Sequence, residues 1–157
     1  LRRRVGGRFG SGAVVLVGKR SVDAEQKVKI LDGVPNIHVL GRKPYEQLPA
    51  YCKAFDVALN PFAINELTLA ANPLKVREYL AAGLPVVSTD IPEVRILEDC
   101  MVGTDHDDFI AKIEFALADP TPRETVSDRI RHESWEAKVD ELRAIVASSR
   151  KEDGGLR

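Results

Sequence analysis

The alternation of short strand-like runs with helix-like runs is the feature that most constrains this sequence. Residues 13–17 form a continuous apolar, mostly β-branched run, which is typical of a strand buried on both faces. Similar short runs recur along the chain with amphipathic segments between them. The pattern predicts strands at Ala13–Val17, Ile37–Leu40, Asp56–Leu59, Pro85–Ser88 and Met101–Val102, and helices at Val22–Leu31, Glu46–Ala54, Pro73–Ala82, Asp107–Ala118, Arg123–His132 and Trp135–Ala147. This order indicates an α/β fold of Rossmann type, a parallel sheet with helices on both faces.

The length of the chain supports one such domain. Its 157 residues fall within the usual size of a single domain. We expect an irregular lead-in over residues 1–12, a Rossmann-like domain over residues 13–150 and a frayed tail over residues 151–157. The chain begins with Leu1 instead of Met, so we expect it to be a piece of a longer protein.

The composition excludes several classes of function. A formal net charge of −1 argues against nucleic acid as a partner, because polyanion binding needs an excess of clustered basic residues. The longest strongly apolar run, residues 13–17, is far too short to span a bilayer. Cys52 and Cys100 lie far apart with no CxxC spacing, so we expect free thiols and a reducing, cytoplasmic location.

Two motif-like stretches favour structural interpretations. The glycine-rich run Gly6–Gly12 precedes a strand, whereas dinucleotide-binding glycines follow one, so it predicts a flexible turn. The run Asp105–Asp108 has the residue types of a metal site, but it stands immediately before an amphipathic helix. Acidic residues at that position cap the free amides of the first turn. We therefore expect helix capping there and no metal site.

The segment Asn72–Val87 carries the most functional information. Asn72 suits the N-cap of a helix, Pro73 its first position and Gly83 the position after its end. Leu74, Val76 and Leu80 are predicted to supply buried faces of this helix.

Lys75 conflicts with this purely structural account. A cation in the first turn of a helix opposes the helix dipole unless an anion lies nearby. A phosphate bound by the first-turn amides and the Lys75 ammonium would remove the conflict. Glu78 follows three residues later on the same side, where its carboxylate could accept the two hydroxyls of a ribose. An exposed ion pair between Lys75 and Glu78 is the alternative.

Several stretches of the sequence resemble the donor-binding half of a known family, the retaining GT-B-fold glycosyltransferases of the group with an E-x7-E motif. The resemblance covers most of residues 13–147, and the matching stretches are Asn72–Lys75, Glu78–Gly83, Pro85–Val87, Val39–Arg42, Tyr45–Leu48, Phe55–Phe62 and Ser134–Glu136.

The resemblance implies roles for individual residues. Glu78 matches the second Glu of the motif, which holds the ribose of a nucleotide diphosphate sugar. Asn72, Pro73, Leu74 and Lys75 match the turn that faces the diphosphate and sugar, with Lys75 as the candidate catalytic residue. The remaining expected substrate-binding residues follow two strand ends, namely Gly18 and Lys19 after the first, and Arg42 and Lys43 near the base after the second.

The sequence departs from the family pattern at two places. Ala70 stands eight residues before Glu78, where the first Glu of the motif is expected, and Asn65 or Glu66 could substitute for it. The family also has a strand before the first one seen here, whereas only residues 1–12 precede Ala13.

We therefore expect a donor-binding domain of a sugar transferase that uses a nucleotide diphosphate sugar as substrate and needs neither cofactor nor metal. The acceptor site, and any peripheral association with the inner face of the cell membrane, is expected on an absent N-terminal domain, so the 157 residues alone should transfer nothing. A non-catalytic nucleotide-binding α/β module and a GT-B-fold sugar-nucleotide epimerase are the alternatives.

Overall fold

A computed structural model describes residues 1–19, 31 and 33–153. The strands are Val14–Val17 (β1), Ile37–Gly41 (β2), Ala58–Asn60 (β3), Val86–Thr89 (β4) and Cys100–Gly103 (β5). The α-helices are Arg2–Arg8 (α1), Leu48–Lys53 (α2), Glu66–Leu69 (α3), Leu74–Ala81 (α4), His106–Ala118 (α5), Arg123–Arg129 (α6) and Trp135–Asp153 (α7). Short 3-10 turns occupy Tyr45–Gln47, Pro92–Val94 and Arg131–Glu133.

The strands pair in parallel, as their alternation with helices predicts. Within the described residues they form two sheets, one with the order β1-β2 and one with the order β3-β4-β5. In the larger sheet Val86 of β4 pairs with Ala58 of β3 on one side and with Cys100 of β5 on the other. Side chains rather than backbone hydrogen bonds connect the two sheets, since Val14 of β1 and Leu59 of β3 pack in one apolar cluster.

Helices cover both faces of the larger sheet. Successive side chains of a strand point to opposite faces, and both Val86 and Val87 of the central strand are completely buried. Val86 packs in a cluster with Val76 and Leu80 of α4 and residues of α6, while Val87 packs in another with Phe109 of α5 and residues of α1. The expected α/β architecture is therefore present, and β4 lies between two apolar layers.

The N-terminal segment differs from the sequence prediction. Residues 1–12 were expected to form an irregular lead-in with a flexible glycine turn, but residues 2–8 form the helix α1. Tertiary contacts outweigh the low helix propensity of the glycines. Val5 is 3% exposed in the core, and Arg4 and Arg8 form ion pairs with Asp107 and Glu114 of α5.

Two residues explain how α1 packs beside the smaller sheet. Gly6 has no side chain, and a Cβ at that position would lie 2.9 Å from side-chain atoms of Val34 and Ile37. The side-chain amide of Asn36 donates hydrogen bonds to the carbonyl oxygens of Gly6, Phe9 and Gly12, at 2.8–3.0 Å. Gly6 therefore serves close packing, while the later part of the run, residues 9–12, forms the predicted turn before β1.

Other differences lie at element boundaries. The predicted helix at residues 46–54 is a 3-10 turn followed by α2, and the one at residues 123–132 is α6 followed by a second 3-10 turn. Helix α7 continues to Asp153, three residues beyond the predicted end of the domain. The predicted helix Val22–Leu31 lies outside the described residues, apart from Leu31.

Both cysteines are free, as predicted, and both are buried. Burial raises the pKa of the Cys100 thiol to about 12. None of the helices in the described part of the chain combines the length and the apolar character needed to cross a membrane.

Gly83 ends α4 as the sequence predicts, and it does so with a left-handed backbone of φ +76°. Its amide donates to the Leu80 carbonyl, and the Leu84 amide donates to the Tyr79 carbonyl, which is the Schellman pattern of helix ends. The space around Gly83 is filled by α6, because a Cβ there would lie 2.6 Å from the Arg123 carbonyl oxygen.

We expect Gly83→Ala to lower the free energy of unfolding by about 2–4 kcal/mol, since the substitution adds left-handed strain to a backbone clash. Urea unfolding measures the effect. Gly7→Ala is the matched control, because Gly7 lies in α1 with no atom within 4 Å of its Cβ position. It should stabilise the protein by up to about 1 kcal/mol through helix propensity. Equal unfolding midpoints for the two variants would contradict this packing account.

Candidate functional site

Helix α4 presents the predicted donor-binding residues. It begins at Leu74, with Pro73 at the N-cap position and no side-chain cap. Val76 and Leu80 are buried as predicted, whereas Leu74 is 61% exposed, so the prediction that Leu74 lies in the core is wrong. Leu74 lies in the first turn, ahead of the residues that contact the core, and its side chain is left at the surface.

Asn72 does not cap α4, contrary to the sequence prediction. The helix starts one residue later than predicted, and the Asn72 side-chain oxygen instead accepts a hydrogen bond from Arg77 Nη1 at 2.5 Å. Arg77 is only 15% exposed and also donates through Nε to Glu133 at 3.1 Å, with Glu93 3.8 Å from its Nη2. Arg77 thus fixes the turn before α4 to two neighbouring 3-10 turns, and no local pattern in the sequence indicates this role.

Glu78 is half-buried and does not pair with Lys75. Its Oε1 accepts a hydrogen bond from the hydroxyl of Tyr45 at 2.9 Å. Among the described residues Lys75 takes part in no ion pair, so the alternative of a Lys75–Glu78 pair is not what the structure contains. The contact with Tyr45 brings the segment after β2 against α4 and adds a residue that the sequence analysis did not identify as part of the site.

The negative charge of Glu78 raises the pKa values of three neighbouring side chains. Its carboxylate raises the pKa of Tyr45, first by accepting the hydroxyl hydrogen bond and then by its negative charge. It also raises the pKa of Cys52 and of Tyr79, in both cases as a smaller effect than burial. The carboxylate of Glu78 therefore lies between the body of α4 and the segment that runs from the end of β2 into α2.

The other predicted basic residues lie at the ends of the smaller sheet. The Gly18 amide donates to the Gly41 carbonyl at 3.0 Å, so the ends of β1 and β2 stay together. Lys19 and Arg42 follow these strands and are exposed. Within the described residues neither of them forms an ion pair. Lys43 is half-buried, with its Nζ 6.0 Å from the ring centre of Tyr51.

Each of these cations lies at a carboxyl-end edge, Lys19 and Arg42 at that of the smaller sheet and Lys75 at that of the larger sheet. Carboxyl ends of parallel strands share an edge of the sheet, and a helix that follows a strand begins there. Lys19, Arg42 and Lys75 all occupy such positions. The larger sheet is held together at the same edge by a buried pair, since Asn60 Nδ2 donates to Ser88 Oγ at 2.9 Å.

A surface cavity of about 610 Å³ lies elsewhere on this edge. Phe62, Thr89, Asp90 and Thr104 are among its lining residues, whereas Glu78 and Lys75 are not. Lys75 is itself exposed. The predicted donor-binding residues are therefore arranged outside this cavity, on another part of the edge.

The run Asp105–Asp108 caps α5, as predicted. The Asp105 carboxylate accepts hydrogen bonds from the amides of Asp107 and Asp108, at 2.8 and 2.9 Å. The Thr104 amide donates to Asp108 and is the main cause of the lowered pKa of that carboxyl. In the part of the chain that the structure describes, no group of three or more His, Cys, Asp or Glu side chains could hold a metal ion.

Comparison with known proteins identifies similar sequences. The family model described as "Glycosyl transferases group 1" matches residues 7–119. The Bacillus subtilis (strain 168) protein TuaH, named for a glycosyltransferase of teichuronic acid biosynthesis, is 29% identical over 127 residues. The match covers 76% of this chain and 32% of that protein, so the chain spans about a third of the length of the curated relative it matches.

The Arg77 network generates a prediction about acid stability. The Arg77 guanidinium is the main cause of the lowered pKa of Glu133, whose ordinary value is about 4.5. A lowered carboxyl pKa contributes stability that is present above the ordinary value and lost as the pH falls through the folded-state pKa. We expect Arg77→Gln to lower the free energy of unfolding at neutral pH by about 1–2 kcal/mol and to flatten its decline below pH 4.5.

Urea unfolding between pH 3 and pH 7 measures both effects. Arg143→Gln is the matched control, because the Arg143–Asp140 pair in α7 is about three-quarters exposed on both sides. Such a pair contributes at most about 1 kcal/mol. An acid limb that is identical in wild type and Arg77→Gln would show that Arg77 does not hold the Glu133 carboxylate.

Proposed function

The chain belongs to the group 1 glycosyltransferases, and on that premise we propose that it is the donor-binding domain of a GT-B-fold sugar transferase of the E-x7-E type. Its substrate is a nucleotide diphosphate sugar. The observation that carries the proposal is the arrangement at α4, where Glu78 and Lys75 share one side of a helix that begins at the carboxyl-end edge of the larger sheet. Lys75 forms no ion pair with the residues that the structure describes. Lys19 and Arg42 add exposed positive charge after the strands of the smaller sheet.

The start of α4 suits a diphosphate. The first amides of a helix have no partner within it, and no side chain among the described residues caps the Leu74 and Lys75 amides. These amides, the helix dipole and the Lys75 ammonium together would stabilise the charge that develops on a departing diphosphate. This is the catalytic role proposed for Lys75, and it performs the task for which other transferases use a metal ion.

Glu78 suits the ribose of the same nucleotide. Three residues of helix separate it from Lys75, a rise of about 4.5 Å, which is close to the separation of a ribose from its diphosphate. A carboxylate accepts hydrogen bonds through two oxygens, so it can take both hydroxyls of the ribose. Arg42 and Lys43, in the segment joined to Glu78 through Tyr45, lie on the side proposed for the base.

The part of the proposed site that faces the sugar lacks the carboxylate of the family motif, because Ala70 occupies the position of the first Glu. Asn65 is already committed to its own helix, where it forms a capping box with Thr68. Glu66 is exposed and, within the described residues, has no partner. We therefore propose Glu66 rather than Asn65 as the substitute, with transfer proceeding with retention of configuration.

The remainder of the enzyme is proposed to lie on a further, N-terminal domain. The relative TuaH is about three times as long as its matched region, and the donor residues here lie on an open surface that a second domain would complete. The strand that the resemblance places before Ala13 would fit between β1 and β3, which are not paired with each other. By analogy with the name of TuaH, we propose a role in polysaccharide biosynthesis at the cytoplasmic face of the membrane.

A non-catalytic nucleotide-binding module is the second candidate, and Ala70 is the observation that favours it. An epimerase would differ from both by forming product from a nucleotide sugar without any acceptor. Product analysis on a nucleotide sugar, with and without a polysaccharide acceptor, separates the three.

Calorimetry tests the donor site directly. We expect the protein with its natural N-terminal sequence to bind one of UDP, GDP, ADP or dTDP, and Glu78→Ala to weaken that binding by about tenfold or more, since it removes a charged hydrogen-bond acceptor. Glu46→Ala is the matched control, because Glu46 is exposed. Its removal should leave affinity unchanged. Failure of all four nucleotides to bind, or full affinity of Glu78→Ala, would refute the proposal.

The proposed strand has its own test. Extending the chain with its natural upstream sequence should raise the free energy of unfolding, because a strand between β1 and β3 would satisfy two unpaired edges and bury apolar surface. Hydrogen exchange should show new protection of the amides of β1 and β3. Unchanged protection of both strands would argue against this position for the strand.

A further inference from the structure

Tyr45 lies in the 3-10 turn between β2 and α2, far in sequence from the helix that carries Glu78. Its hydroxyl donates to Glu78 Oε1 at 2.9 Å. No other hydrogen bond and no ion pair reaches the Glu78 carboxylate from the described residues. The orientation of this carboxylate therefore depends on the tyrosine.

The backbone around Tyr45 is fixed while its side chain is open. Pro44 precedes it, and the Gln47 amide donates to the Pro44 carbonyl at 3.1 Å to close the turn. The side chain of Tyr45 is 69% exposed, so no core packing holds its ring. Packing of the core therefore does not explain why a tyrosine stands here. Its hydrogen bond to Glu78 joins two separate segments, and that contact suits a role in positioning the carboxylate.

We propose that Tyr45 is a positioning residue of the donor site, which orients the Glu78 carboxylate to receive the ribose hydroxyls of a nucleoside diphosphate. The inference rests on the proposed function, in which Glu78 binds the ribose. Tyr45 occupies one acceptor position on Oε1. Oε2 and the remaining lone pair of Oε1 stay free for the two hydroxyls of the ribose.

The benefit of this arrangement is preorganisation. A free glutamate side chain has several rotatable bonds, and ordering it on ligand binding has an entropic cost. The hydrogen bond from Tyr45 orders the carboxylate before the nucleotide arrives. The raised pKa of Tyr45 means that the hydroxyl keeps its proton through the neutral range and remains a donor.

The test compares ribose with deoxyribose. Calorimetry on the protein with its natural N-terminal sequence uses UDP, GDP and ADP, each beside its 2′-deoxy counterpart, for wild type, Tyr45→Phe and Glu78→Gln. We expect Tyr45→Phe to weaken binding of the preferred ribonucleotide by about three- to tenfold and that of its 2′-deoxy form by less. The preference for ribose should therefore fall, and Tyr45→Phe should have no further effect when combined with Glu78→Ala, which removes the acceptor of its hydrogen bond.

Tyr51→Phe is the matched control. Its hydroxyl makes no hydrogen bond with the described residues, and the substitution retains the ring that faces Lys43. It should leave the ribose preference unchanged. Thermal unfolding of each variant shows whether the protein remains folded.

Each outcome decides the matter. A lower ribose preference in Tyr45→Phe, absent in Tyr51→Phe, supports the inference. An unchanged preference, an equal loss for ribose and deoxyribose forms, or tighter binding of the ribonucleotide overturns it while the proposed function stands. If wild type binds none of UDP, GDP, ADP and dTDP, or Glu78→Gln binds as wild type does, the proposed function fails and the inference fails with it. Binding of dTDP alone overturns the inference while the proposed function stands.

Discussion

The burial of Val76 and Leu80 against the central strand fixes the orientation of α4, and the rest of the site depends on it. A helix turns about 100° per residue, so once these two side chains face the sheet, Glu78 points to the opposite side of the helix. That side is where the segment after β2 approaches and where Tyr45 meets the carboxylate. The geometry of the proposed site is thus a consequence of core packing, because the residues that fold the helix also determine which groups it presents.

Two cations of α4 have different environments, and the difference indicates which one is available to a ligand. Arg77 is half-buried and neutralised by Glu133 and Glu93, and it holds the turn at Asn72. Lys75, in the first turn, is exposed and unpaired among the described residues. A positive charge opposes the dipole at this end of a helix. Arg77 is compensated by fixed partners, whereas Lys75 has none among the described residues, and in the proposed function the anionic diphosphate takes that place.

The sequence predicts the features that depend on local pattern. The parallel strands and α4 with its Gly83 end follow from β-branched runs and helix-ending residues, and the Asp105 cap follows from acidic residues before an amphipathic run. Tertiary contacts decide the rest. Helix α1 forms despite its glycines because Gly6 permits close packing on Val34 and Ile37. Tyr45 is 33 residues from Glu78, and no spacing rule relates two residues across separate elements.

The starts of α4 and α5 differ in whether a side chain of the protein already occupies their first amides. Both helices begin near the carboxyl ends of strands. At α5 the carboxylate of Asp105 occupies the amides of the first turn, so an incoming anion would have to displace a bound negative charge. At α4 the N-cap is Pro73, which has no side-chain acceptor to offer. Its first amides remain available beside Lys75, and this is why we propose α4 as the helix that receives the diphosphate of a sugar donor, with Glu78 one turn further along.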